Sequence, residues 1–420
     1  MSAANLTSRS TQLRITWTLF ATQSLFSATM IASFTLLPIL SAQFGGSDSV
    51  AGIPNTLIML GRALIAYPIG ALMDKHGRRL GLTIGYALAA LGGLLSAYSI
   101  GLSSFMILSA GSMLAGMGRG VTEQARFVAG DARTGAERAS AIGLIVLAGT
   151  VGAVGGPLMV EPTRAFMSQF GYWADAGPFA AMVGLNLLAM VMVFALLRPD
   201  PLAIARELEN RSNGGVKKPM QPARPISEIF AGSLVRIAIA AMVIGQLVMT
   251  LIMVITPLYM HHHNHGAGPI SWVIMAHTLG MFGLSTFTSK LIERFGRINM
   301  INGGAGVLAL SAIMTPISSN VWALGVALFL LGLGWNFCFI AGSSLLADAL
   351  APNERGKAQG ANEMMVALAS GVGSAGTGVV FAQGGMAVVS AIGLGFALLL
   401  MAATVWVTRR TADVAVGVGD

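Results

Sequence analysis

One cysteine, Cys338, is all this chain carries, so no disulfide can form within it. Charge is nearly as scarce. Asp, Glu, Lys and Arg make up 10% of the 420 residues, where a soluble domain carries roughly 25%. No GxxxxGK[ST] loop occurs, so nothing suggests direct ATP hydrolysis, and no nucleophile–base motif suggests an enzyme. The N-terminal MSAANLTSRSTQLRITW has no short apolar region ending at a small-residue cleavage site, so the first hydrophobic run reads as a retained span. No long polar domain is available for signalling, which counts against a metal sensor that moves nothing.

What the chain does have is apolar sequence, 55% of it, with a mean hydropathy of +0.74. Twelve hydrophobic segments lie near 14–41, 50–73, 80–100, 104–128, 139–160, 177–198, 234–260, 269–290, 298–318, 320–347, 357–382 and 385–408. Each is long enough to cross a hydrocarbon core of ~30 Å. The 53 glycines would weaken soluble helices but let membrane helices pack closely. The expected fold class is therefore an all-α membrane protein. Its net charge of +8 and pI near 10.1 do not imply nucleic acid, because the cations follow topology. With the N-terminus inside, all but Arg62, Arg119 and Arg164 of the 25 Lys and Arg fall on or beside cytoplasmic segments. That asymmetry places both termini in the cytoplasm.

A polar stretch at 199–233, rich in proline and charge, divides the spans six and six. The expected organisation is an N-terminal half, 1–198, a cytoplasmic linker, 199–233, and a C-terminal half, 234–420. An internal repeat supports it: Leu72, Asp74, Lys75, Gly77 and Arg78 recur as Leu291, Glu293, Arg294, Gly296 and Arg297, displaced by 219. Glu137, Arg138 and Gly143 recur as Glu354, Arg355 and Gly360, displaced by 217. Two parallel six-helix halves are a transporter plan.

GALMDKHGRR at 70–79 resembles the loop signature of the major facilitator superfamily. Arg119 resembles that superfamily's motif in the fourth span, and Gly152, Gly156 and Pro157 its Gly-Pro motif in the fifth. The resemblance implies twelve transmembrane helices in two pseudo-symmetric halves and a rocker-switch transporter. Asp74, Arg78, Arg79, Arg119, Glu123, Gly152, Gly156 and Pro157 are then the gating and conformational candidates. Asp74 can meet Arg78 or Arg79 and a helix N-terminus, and Glu123 can carry a proton or neutralise Arg119.

Met249 and Met253 are four residues apart in the seventh span, and His277 and Met281 in the eighth, so each pair shares a helix face. Thioether and imidazole suit Cu(I). At ~1.5 Å per residue the two pairs fall at matching depths of two antiparallel spans. An imidazole within a span is usually functional; a hydrogen bond to a neighbouring carbonyl is its competing structural role, and core packing is that of the methionines. His261, His262, His263 and His265 in the following loop could capture metal or form a solvated polar turn. Met113, Met117 and Cys338 are possible secondary ligands, with packing as their alternative. The stretch around these pairs resembles the CcoA-like (CalT) copper importers. That implies copper, as an ion or small complex, as substrate rather than cofactor. It also implies import across the bacterial inner membrane to supply haem–copper oxidase of the cbb3 type, with cytoplasmic copper chaperones or exporters as partners. Two alternatives stay open: riboflavin uptake, for which Trp335, Asn336 and Gln246 would serve, and proton-coupled efflux of an amphipathic compound.

Overall fold

The computed structural model describes residues 8–133, 135–212, 224–350 and 355–416. Helices account for nearly all of them, and no β-strand occurs among the described residues. The helices are α1 (Arg9–Phe34), α2 (Leu37–Gly45), α3 (Ile53–His76), α4 (Arg78–Gly101), α5 (Phe105–Thr122), α6 (Ala125–Asp131), α7 (Gly135–Gln169), α8 (Gly177–Leu196) and α9 (Pro201–Ser212). They continue as α10 (Ile226–Ala231), α11 (Ser233–His262), α12 (Ala267–Phe282), α13 (Ser285–Phe295), α14 (Arg297–Met314), α15 (Val321–Asp348) and α16 (Arg355–Val416).

All twelve hydrophobic segments fall on helices. Seven helical stretches are long and apolar enough to cross a membrane, and nine when α1 with α2 and α12 with its continuation into α13, bent by 43° and 45°, each count as one span. One of the seven, Ala361–Val407, holds two segments, because α16 breaks at Gly385, where φ is +64°. The segments near 104–128 and 298–318 lie on α5 with α6 and on α14. The chain is a polytopic helical membrane protein.

The residues form two compact units. The first comprises Met1–Ser47 and Ile53–Pro219; the second comprises Asp48–Gly52 and Met220–Asp420. In the first, α4 packs on α5 and α8, α3 on α5, and α1 on α7 and α8. In the second, α14 packs on α15 and α16, α12 on α15, and α11 on α15 and α16. Within the stretch expected to be a linker, α9 packs on α4 and α6 of the first unit, and α10 on α11 and α16 of the second.

The repeat recurs as matching contacts. Arg78 Nε pairs with Asp131 Oδ2 at 2.9 Å, and Arg297 pairs with Asp348 at 2.5 Å. These residues are displaced by the same 219 and 217 that relate the loop motifs. A Cβ on Gly116 would strike the backbone carbonyl of Ile58, and one on Gly332 that of His277. Glycine there lets α5 reach α3, and α15 reach α12, backbone to backbone. Gly332→Ala is therefore expected to cost about 1–3 kcal/mol, as overpacking does. Gly303→Ala, where nothing lies within 4 Å, should melt no lower than the unsubstituted protein in detergent. Equal melting temperatures for the two variants would refute this reading.

Candidate functional site

The second unit gathers a polar and aromatic cluster on α11, α15 and α16. Trp335, Asn336 and Phe339 lie on α15; residues four apart share a helix face, so Trp335 and Phe339 stack, with centroids 4.8 Å apart and planes 17° apart. Phe282, the last residue of α12, meets Trp335 edge-on at 6.1 Å. The indole Nε1–H donates to Gln246 Oε1 of α11 at 2.9 Å. Gln246 Nε2 in turn donates to Thr250 Oγ1 at 3.2 Å and to Ser370 Oγ of α16 at 3.4 Å. Thr250 and Ser370 are also bonded to each other at 3.1 Å. Asn336 Nδ2 donates to the Met281 carbonyl at 2.6 Å and to Ser285 Oγ, while Thr288 donates to Asn336 Oδ1. Each polar group here is held by another side chain or a carbonyl, as burial in an apolar bundle demands.

The methionine and histidine pairs lie on α11 and α12. Helices α11 and α12 touch only slightly, and α15 packs extensively against both. His277 is fully buried on α12 and its Nδ1 lies 3.0 Å from the Leu328 carbonyl of α15. A carbonyl only accepts, so Nδ1 carries the proton and Nε2 the lone pair. Met249, Met253 and Met281 are half-buried. Equal depth along the membrane normal thus did not imply lateral neighbours, because the glycine-lined approach of α15 to α12 occupies the His277 face.

The loop histidines do not converge. His263 Nδ1 donates to the Tyr259 carbonyl at 2.8 Å, and His265 Nε2 to the Ser319 carbonyl at 2.7 Å. His262 faces Asp48 at 3.5 Å, and His261 is exposed. Among the described residues no three His, Cys, Asp or Glu are placed to share a metal ion. The Cys338 thiol is buried and points at the Ile301 carbonyl of α14, 3.7 Å away. Met113 and Met117 are half-buried on α5, where Gly61 of α3 abuts their backbone.

In the first unit, Glu123 accepts from Arg62 Nε and Arg119 Nε, both at 2.8 Å. One carboxylate is thus shared by two guanidinium groups. The Asp74 side chain lies outside the described residues. Arg78 uses Asp131, and the backbone N–H groups of Arg78 and Arg79, at the start of α4, donate to the two oxygens of Asp200 at 3.0 Å. A carboxylate at a helix N-terminus satisfies orphan donors and complements the dipole. Asp131 and Asp200 were not singled out from sequence, although the 217 displacement linking Asp131 to Asp348 was there to be read. Gly152 and Gly156 of α7 abut Ser27, Ala28 and Ile31 of α1, and Pro157 is buried beside them; these residues set a helix contact.

The chain matches the Major Facilitator Superfamily over residues 19–269 and 237–418. It is 33% identical to the uncharacterized MFS-type transporter YdeG of Bacillus subtilis over 385 residues, covering 91% of this chain and 89% of that one. It is also 33% identical to the riboflavin transporter RfnT of Brucella anthropi over 332 residues, covering 78% and 79% of the two chains. The solved structure of the nucleoside transporter NupG superposes with a TM-score of 0.68 at 14% identity, covering 94% of this chain and 98% of that one.

Proposed function

The chain belongs to the major facilitator superfamily, and from that premise we propose that it imports a planar heteroaromatic solute of the flavin class across a bacterial inner membrane, with both termini in the cytoplasm. Its role as a secondary transporter follows from family and fold. The observation that supports the substrate class is the Trp335 platform, stacked on Phe339 and tethered to Gln246. An isoalloxazine offers a flat face and an edge of alternating donors and acceptors. Trp335 and Phe339 supply the flat partners, and the half-buried Gln246 carboxamide supplies both hydrogen-bonding senses on exchanging its present partners. Substrate sites of this kind are mainly apolar with a few placed polar groups. The relative RfnT, a riboflavin transporter by name, points the same way.

Copper is the second reading, and His277 is what favours it. A metal-binding imidazole typically donates its other ring N–H to a carbonyl, which fixes the tautomer, and His277 does this with Leu328. In this reading Met249, Met253, His277 and Met281 are successive stations rather than one shared site.

Parallel uptake of labelled riboflavin and radioactive copper separates the two readings. The assay uses cells lacking their own importers and compares wild type, Trp335→Ala and His277→Ala at matched membrane abundance. Saturable riboflavin uptake that His277→Ala leaves within about threefold of wild type supports the flavin reading. Copper uptake that His277→Ala abolishes, with riboflavin at background, replaces it with the copper reading. Background uptake of both substrates by wild type rejects both.

A further inference from the structure

The repeat shows that the charges on α3 and α5 are not a requirement of the fold. A Cβ on Gly118 would sit 2.9 Å from the Gly85 carbonyl and 2.8 Å from Ala89, and one on Gly334 the same distances from Gly304 and Leu308. This fixes a displacement of 216 between α5 and α15 and of 219 between their neighbours. Carried along, that register matches Arg119 to Trp335, Glu123 to Phe339 and Arg62 to Met281. The contacts agree with this register: Gly120 abuts the Arg62 carbonyl, and its counterpart Asn336 donates to the Met281 carbonyl. One unit thus fills this corner with stacked rings, and the other with guanidinium groups around a carboxylate. Desolvating an ion costs several kcal/mol, so charges that the fold can do without call for another explanation.

The charges in that corner do not balance. Glu123 has both oxygens engaged, by Arg62 and Arg119. Arg126, at the start of α6, also acts electrostatically on Glu123, yet among the described residues it is in no ion pair. Its Nε is buried without a hydrogen-bond partner, and its guanidinium lies over the Phe127 ring at 4.8 Å. Asp131, the next acid along the chain, is held by Arg78. Among the described residues, three cations around one anion leave an excess of two positive charges. A phosphate group carries about −1.5 to −2 at neutral pH and offers acceptors in the geometry that guanidinium forks match.

We propose that Arg62, Arg119 and Arg126 form an oxyanion site in the first unit that takes a phosphate group beside Glu123. The site lies on other helices than the aromatic platform and does not rest on the flavin reading.

The test is equilibrium binding of radiolabelled inorganic phosphate to the purified, delipidated full-length protein in neutral detergent, with no transport readout. Wild type should bind phosphate saturably, and Arg126→Gln should weaken binding about tenfold or more. Because Arg126 is in no ion pair among the described residues, this variant should keep the wild-type melting temperature. Arg126→Lys, which keeps the charge but loses the fork, should fall between them, and Glu123→Gln should bind more tightly because a competing anion is gone. Adding phosphatidylglycerol distinguishes the sources: competition assigns the site to a lipid headgroup, and its absence to a soluble phosphate. Lack of saturable binding by wild type, or unchanged affinity in folded Arg126→Gln, overturns the proposal.

Discussion

Trp335→Ala is expected to reduce riboflavin uptake about thirtyfold or more, while the protein stays in the membrane. Two losses combine. Stacking of a flat heterocycle on an aromatic side chain contributes about 1–3 kcal/mol, and each 1.4 kcal/mol is a factor of ten. Removing the indole also leaves Gln246 Oε1 without the donor it now has, and an unsatisfied buried acceptor costs about 1–3 kcal/mol. Trp335→Phe divides the two terms, since a phenyl ring can still stack on Phe339 but has no N–H to donate. It should therefore fall between wild type and Trp335→Ala, and adding Gln246→Leu to it should cost less than Gln246→Leu alone in the wild-type background. Initial rates of labelled riboflavin uptake at matched abundance test this. A Trp335→Ala protein transporting at the wild-type rate would remove the aromatic platform from the substrate path.

The helices and their repetition were legible because they depend on quantities carried by the linear sequence. Hydrophobic length locates a span, and the displacement of 219 from Asp74 to Glu293 announces a duplication. Lateral order was not legible. Counting residues gives the depth of Met253 and His277 along their helices but not which neighbour each helix meets. That choice is made by small residues such as Gly280 and Gly332, which bring α15 onto α12 and leave α11 elsewhere. The same contact explains why His277 faces the Leu328 carbonyl, the structural role weighed against ligation. The Trp335–Phe339 pair has the same four-residue spacing as the methionines, but spacing alone does not show that the two rings stack. Arg62 and Arg119 stood out as cations on spans; their convergence on Glu123, with Arg126 nearby, needed the packing of α3 on α5 and the break between α5 and α6 at Glu123 and Gln124. There the displacement between the halves passes from 216 to 217, because α15 continues as one helix where its counterpart is interrupted.

Glu123→Leu is expected to be among the most destabilising single substitutions in the first unit, at about 2–3 kcal/mol. Removing one member of a buried ion pair costs about 3–5 kcal/mol because its partner is left charged and unpaired. The side chains here keep 26–28% of their exposure, which moves the value towards the lower end. The cause is the stranded guanidinium groups and not the lost carboxylate. Adding Arg62→Leu and Arg119→Leu should therefore recover most of the loss, since an apolar set of similar volume often replaces a buried ion network at little cost. The second unit already has such a set at Met281, Trp335 and Phe339. Thermal unfolding in detergent measures all three steps, and inorganic phosphate adds a fourth. An anion that binds the folded state raises its stability by mass action. Phosphate should thus raise the melting temperature of Glu123→Leu more than that of wild type, and should have little effect on the triple variant. If Glu123→Leu melts with wild type, the arginines are neutralised elsewhere and the corner stores no charge imbalance. If phosphate stabilises all three proteins equally, it acts outside the arginine cluster.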